Sequence, residues 1–175
     1  ATMLVQDGRG EKAVEYGIER LSTPDALLEL AKTLREHDHT EAALTVAEHG
    51  LTVEGYGKER LASWLRDRAA TADESDLALE AAVTAFEASP SLQAYQAVEE
   101  VAGDDWEHVR SELLDSLRSQ EPSYRTASRI VEVFIHEELY DEAIEVADSS
   151  GSASVVEPVV EAAIEERPHW AIRAC

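Results

Sequence analysis

Along the chain a small residue is repeatedly followed by a large apolar one, with a second small residue one helical turn after the first. Ala13-Val14 with Gly17 fits, and Leu21 follows. Ala43-Leu44 with Ala47 fits, and Leu51 follows; Ala78-Leu79 with Ala82 fits, and Phe86 follows. Val109, Leu113 and Leu117 form a looser copy opened by Trp106. Ala143-Ile144 with Ala147 fits, ahead of Gly151, and Ala171-Ile172 with Cys175 begins a sixth copy. The copies start 30, 35, 31, 34 and 28 residues apart, the spacing of helix–turn–helix repeats. Small residues one turn apart let helix backbones approach closely, and the large residues beside them fill the groove of the next hairpin.

Each of these B helices has an upstream partner with its own apolar stripe. The stripes predict A helices over 25–36, 57–71, 91–102, 124–138 and 155–166. They include Leu27, Leu30 and Leu34; Leu61, Trp64 and Leu65; Leu92, Tyr95 and Val98; Ile130, Val131 and Phe134; and Val155, Val156 and Val159. Residues 27–48 align without gaps on 127–148, pairing Leu30 with Ile130, Leu34 with Phe134 and Ala43 with Ala143. Thr23-Pro24-Asp25 reads as an N-cap followed by Pro at the first helical position. Asp104 and Glu107 have capping-box spacing. Ser89-Pro90, Glu121-Pro122 and Arg167-Pro168 fall between helices, where Pro is tolerated. No segment alternates as a half-buried strand would.

The expected fold is all-α: a right-handed α-solenoid of about five antiparallel helix pairs, forming one helical-repeat domain over 1–175. By the 30-residue offset Leu4 stands in for Leu34, so the chain opens in the tail of an A helix and closes one turn into a B helix. Both ends are therefore expected to be cut inside a repeat of a longer protein.

The repeats resemble tetratricopeptides (TPRs). With Ala78 as that family's conserved small residue of helix B, Pro90 falls on its terminal Pro and Ala82 where it usually has Phe. The family's early Gly in helix A is absent from every copy. A closer resemblance covers about 64–117: Trp64-Leu65-Arg66, Ala78-Leu79-Glu80-Ala81-Ala82, Pro90-Ser91-Leu92-Gln93-Ala94-Tyr95, Ala102-Gly103, Trp106, Val109-Arg110 and Leu113-Leu114. This succession is similar to the helical region downstream of the finger in prokaryotic SWIM zinc-finger proteins. The resemblance implies a Cys-x-Cys…Cys-x-His finger upstream, outside these residues, and places no zinc here. It also implies, as in tetratricopeptides, that A helices line a concave face. Glu29, Lys32, Arg68, Gln96 and Arg129 are then the candidate partner contacts.

Charge narrows the partners. The 37 acidic residues against 15 basic ones leave a formal net charge of −22, and Lys occurs only at Lys12, Lys32 and Lys58. This balance points to a salt-adapted source, because at molar salt the Debye length falls to about 3 Å and self-repulsion is screened. It argues against direct nucleic-acid binding, which needs a basic stripe. An anionic membrane is disfavoured likewise, and no apolar run approaches the roughly 20 residues of a spanning helix. A lone cysteine, Cys175, rules out an internal disulfide, and the start shows no secretory signal, so a reducing cytoplasm is the expected setting.

Chemistry-bearing clusters are few. His37-Asp38-His39, with Glu41 and His49, has metal-ligand residue types. It falls in an inter-helix turn, without the spacing of a known closed site, and reads as solvated. Glu99-Glu100 with Asp104-Asp105, and Glu137-Glu138 with Asp141-Glu142, read as acidic surface rather than an acid/base pair in a cleft. Cys175 and His169 lack an orienting group for nucleophilic catalysis. Gly55-Tyr56-Gly57-Lys58 lacks the strand that a phosphate-binding loop follows. Trp64, Trp106 and Trp170 lie near apolar stripes and read as packing rather than interface anchors. No catalytic, cofactor or metal site is expected. The expected role is a non-enzymatic protein-interaction or scaffold module. The alternative is a structural module that packs on a second copy or on a neighbouring domain.

Overall fold

The computed structural model describes residues 10–121, 123 and 126–174. It is all-helical, with no strand among the described residues. Leu4, Pro122 and Cys175, which carried sequence expectations, lie outside them. Contacts within the chain group it into two compact units, 1–89 and 90–175.

The first unit holds α1 (Gly10–Arg20), α2 (Pro24–Glu36), α3 (Thr40–Leu51), α4 (Lys58–Thr71) and α5 (Ser75–Ala88). Helices α2 and α3 fold back on one another, as do α4 and α5. Helix α4 packs on α2, α3 on α1, and α5 on α3. The A helices thus stack on A helices and the B helices on B helices. Their shared core includes Leu27, Leu30, Ala31, Leu34, Ala43, Val46, Ala47, Leu61 and Leu65, all buried. Each buried Leu or Val contributes about 1.5–3 kcal/mol relative to exposure. Thr23 caps α2 as its sequence implied: its hydroxyl accepts from the Ala26 N–H at 3.4 Å, with Pro24 next in the chain.

The second unit holds α6 (Leu92–Ala102), a 3-10 turn (Gly103–Asp105), α7 (Trp106–Ser119), α8 (Ala127–His136), α9 (Tyr140–Ser150), α10 (Ala153–Ala163) and α11 (Pro168–Ala174). Helix α8 packs on α6 and α10, and pairs with α9; α11 pairs with α10. Ser91 caps α6, its Oγ accepting from the Ala94 N–H at 3.2 Å. The capping box expected from Asp104 and Glu107 does not form. Asp105 precedes α7 without a side-chain cap bond, and the 3-10 turn takes its place, with the Trp106 N–H donating to the Gly103 carbonyl. Pro158 lies inside α10, an interior position where it removes one helix hydrogen bond.

One turn recurs at three A-to-B junctions. The His39 N–H donates to the Leu34 carbonyl at 3.0 Å and the Asp38 N–H to the Arg35 carbonyl at 3.1 Å. Glu74 and Asp73 repeat this pattern onto Ala69 and Ala70, and Leu139 and Glu138 onto Phe134 and Ile135. This is the Schellman closure, which puts its central residue in the left-handed region. Asp38, Asp73 and Glu138 sit there, at φ 63°, 60° and 58°. Glycine is the usual occupant, because a Cβ at such a φ costs roughly 1–2 kcal/mol. Glu138→Gly is therefore expected to stabilise the second unit by about 1 kcal/mol, after the entropy that Gly adds to the unfolded chain. Urea denaturation checks this through a higher midpoint at unchanged slope.

Two helical glycines, Gly17 of the repeat and Gly50, sit at tight contacts. A Cβ built on Gly50 would meet Leu61 at 2.4 Å from Cδ1, 3.1 Å from Cδ2 and 3.4 Å from Cγ. Leu61 is fully buried, so all three of these contacts must be relieved inside the core. On Gly17 the added Cβ would meet only one Leu30 methyl, at 2.5 Å, with the next atom 3.9 Å away. Alanine favours a helix interior by about 1 kcal/mol over glycine, and overpacking costs about 1–3 kcal/mol. Gly50→Ala is accordingly expected to destabilise the fold by about 1–2 kcal/mol, and Gly17→Ala to be near neutral. Thermal unfolding of the two variants separates the cases.

Candidate functional site

The expected contact residues divide between the units. In the first, Glu29 is exposed and its carboxylate pairs with the Lys32 ammonium at 2.9 Å, one turn away on α2. Arg68, on α4, is half-buried. In the second, Gln96 on α6 and Arg129 on α8 are exposed. Glu29 and Lys32 thus share one helix, α4 brings Arg68 beside it, and α6 and α8 present the other two.

The three tryptophans differ in setting. Trp64 is half-buried against the core of the first unit. Trp106 meets Tyr95 edge-on, with ring centroids 5.3 Å apart. Trp170 is nearly buried, and its Nε1–H donates to Asp148 Oδ1 at 3.0 Å. The His37 ring nitrogen Nδ1 lies 2.9 Å from the Thr33 carbonyl. Among the described residues no group of three or more His, Cys, Asp or Glu side chains is arranged to hold a metal ion. No described helix is long and apolar enough to cross a membrane.

One acidic cluster differs from its sequence reading. Glu99, Glu100, Asp104 and Asp105 are exposed, in keeping with a solvated surface. Glu137 is not: its side chain keeps only 10% of its exposure. The Tyr95 hydroxyl donates to its Oε1 at 2.8 Å and Arg110 Nε to its Oε2 at 2.6 Å, with a second, shorter bond from the same guanidinium. Burial opposes the charge on Glu137, yet these bonds hold its carboxyl below the ordinary carboxylate range. Burial, together with the Glu137 carboxylate, pushes the Tyr95 phenol well above its ordinary value, and the bond to Glu137 raises Arg110. Tyr95 is fully buried between Trp106 and the His136 ring, the latter 6.2 Å away. The cluster ties α6, α7 and the end of α8 together. Three hydrogen bonds from Tyr95 and Arg110 hold its carboxylate in place.

Around it, Arg118 reaches both Asp115 and Glu142 at 2.9 Å, joining α7 to α9. Arg167 makes a two-pronged contact with Asp141 at 2.8 and 2.9 Å. Glu137 was missed because its place in a turn signals exposure. The available clue was its register: it occupies the position of His37 in the copy 100 residues earlier, so the repeat itself does not require the carboxylate.

No family model, curated protein or solved structure matches the chain.

Proposed function

We propose that the chain is a non-enzymatic protein-interaction or scaffold module, built as a right-handed TPR-like stack of helix pairs. On this reading it is the helical part of a larger SWIM zinc-finger protein from a salt-adapted prokaryote, and the finger does the recognising. The observation that carries the reading is the stacking of like helices: α4 on α2 and α5 on α3 in the first unit, α8 on α6 and α10 on α8 in the second. Stacked A helices offer an extended surface that a partner can lie along. The repeated turn at Asp38, Asp73 and Glu138 supports the same reading, since it closes three of the hairpins alike.

Photo-crosslinking in an extract of the source organism tests it. A benzophenone side chain at Glu29 or Gln96, on A helices, is expected to capture the same protein. The same group at Glu48 or Glu145, on B helices, is expected to capture none. Equal capture from both sets, or none from the first, overturns the reading.

A second reading has an observation of its own. Tyr16 and Ile18 on α1, and Ile164 and Ile172 at α10 and α11, are exposed large apolar residues. They fit a module that packs on another copy or on a neighbouring domain. Light scattering across protein concentrations separates the two: a dimer disrupted by Ile172→Glu favours the second.

A further inference from the structure

A cavity of ≈ 250 Å³ opens in the first unit where the end of α2, the start of α3 and the end of α4 meet. Arg35, Thr40, Leu44, Trp64, Arg68 and Thr71 line it. Arg68 Nε is shielded from solvent and meets no hydrogen-bond acceptor among the described residues. A buried donor left unmet is costly, so its retention calls for an explanation. No carboxylate among the described residues pairs with Arg68 or with Arg35, although the chain carries 37 acidic residues. The neighbouring arginines do find acids: Arg60 pairs with Asp25 at 2.8 Å and Arg66 with Asp67 at 2.6 Å.

The basic lining is not a requirement of the repeat. In the aligned copy, Ile135 stands at the place of Arg35 and Tyr140 at the place of Thr40. The first turn of α3, which Thr40 begins, has no side-chain cap bond. A helix N-terminus favours negative charge, and this first turn already carries Glu41.

We propose that this cavity binds a phosphate monoester carried on a small apolar or aromatic group. Two guanidinium groups match a dianion, and each can bond two oxygens of one phosphate. A carboxylate offers two oxygens, which a single guanidinium saturates. The Thr40 hydroxyl adds a donor, whereas that of Thr71 is already given to the Asp67 carbonyl at 2.8 Å. Leu44 and the Trp64 indole supply the apolar wall for the organic group. The volume suits a group the size of one side chain or a phenyl ring rather than a nucleotide. The chain's net charge of −22 repels anions at a distance, so capture rests on donors in direct contact. The site stands independently of the scaffold reading.

Titration of the full chain with phenyl phosphate, followed by the indole N–H resonances, tests this. Trp64 is assigned through Trp64→Phe. A saturable shift of the Trp64 signal is expected, with the Trp106 and Trp170 signals still. Arg35→Ala and Arg68→Gln are each expected to weaken binding by about tenfold or more, with unchanged circular dichroism. Arg20→Ala, away from the cavity, is expected to leave it unchanged. Benzoate and inorganic phosphate are expected to bind more weakly, the first lacking the dianion and the second the apolar group. O-phosphoserine tells a phosphorylated side chain from an aromatic ester as the source of the phosphate. No saturable shift with phenyl phosphate, equal binding of benzoate, or binding untouched by both arginine variants overturns the proposal.

Discussion

Glu137→Ala is expected to destabilise the second unit by about 2–3 kcal/mol, the range for leaving a buried group without its charged partner. The loss does not come from the deleted attraction alone. It removes the carboxylate partner of the part-exposed Arg110 and leaves the Tyr95 hydroxyl, on a fully buried ring, without an acceptor. Glu137→Gln keeps an acceptor but not the charge, and is expected to cost less. Tyr95→Phe removes one bond to a charged group and is expected to cost about 1.5–3 kcal/mol. Urea denaturation with matched slopes measures all three.

The same cluster fixes a pH dependence. The folded state holds the Glu137 carboxyl below its ordinary range, so its contribution is fully present above that range. It is lost as pH falls through the lower, folded value. The stability gap between wild type and Glu137→Gln is therefore expected to be constant near neutrality and to shrink below about pH 4.5. Comparing the two proteins cancels the general effect of protonating the other carboxylates. A gap that stays constant down to pH 2.5 would remove Glu137 from the account of this site.

Lowering salt from molar to about 10 mM is expected to cost the protein much of its helicity. The Debye length then grows from about 3 Å to about 30 Å, and the 37 acidic side chains begin to act on one another across whole helices. The observed pairings offset little of this. Most, such as Lys32–Glu29 and Arg60–Asp25, are exposed, and exposed pairs contribute about 0–1 kcal/mol each. Glu99, Glu100, Asp104 and Asp105 crowd around the end of α6 and the following turn with no cation paired to them among the described residues. Circular dichroism and light scattering against sodium chloride concentration read the effect. Unchanged helicity and size over that range would defeat the inference of salt adaptation.

Most of the helices were legible because the chain repeats a pattern with one physical meaning. Leu30 and Ile130, Leu34 and Phe134, and Ala47 and Ala147 align in sequence and are all buried. The A helices begin and end within about three residues of their expected limits, as with α10 at Ala153–Ala163 against 155–166. What failed was local chemistry that depends on distant neighbours. Asp38, Asp73 and Glu138 gave no sign of left-handed turns, because an acidic residue there looks like any polar loop residue. Glu137 read as solvated until α6 and α7 closed over it with Tyr95 and Arg110. The unmet Arg68 donor was equally hidden, since spacing does not reveal which cations find an acid.

A crystal structure of residues 1–175 is the most direct test of the central claim. Right-handed stacking of α2 on α4 and of α6, α8 and α10 in turn, with the same turn at Asp38, Asp73 and Glu138, is the outcome the account predicts. Strands, or helices gathered around one central ligand-holding cavity, would contradict it.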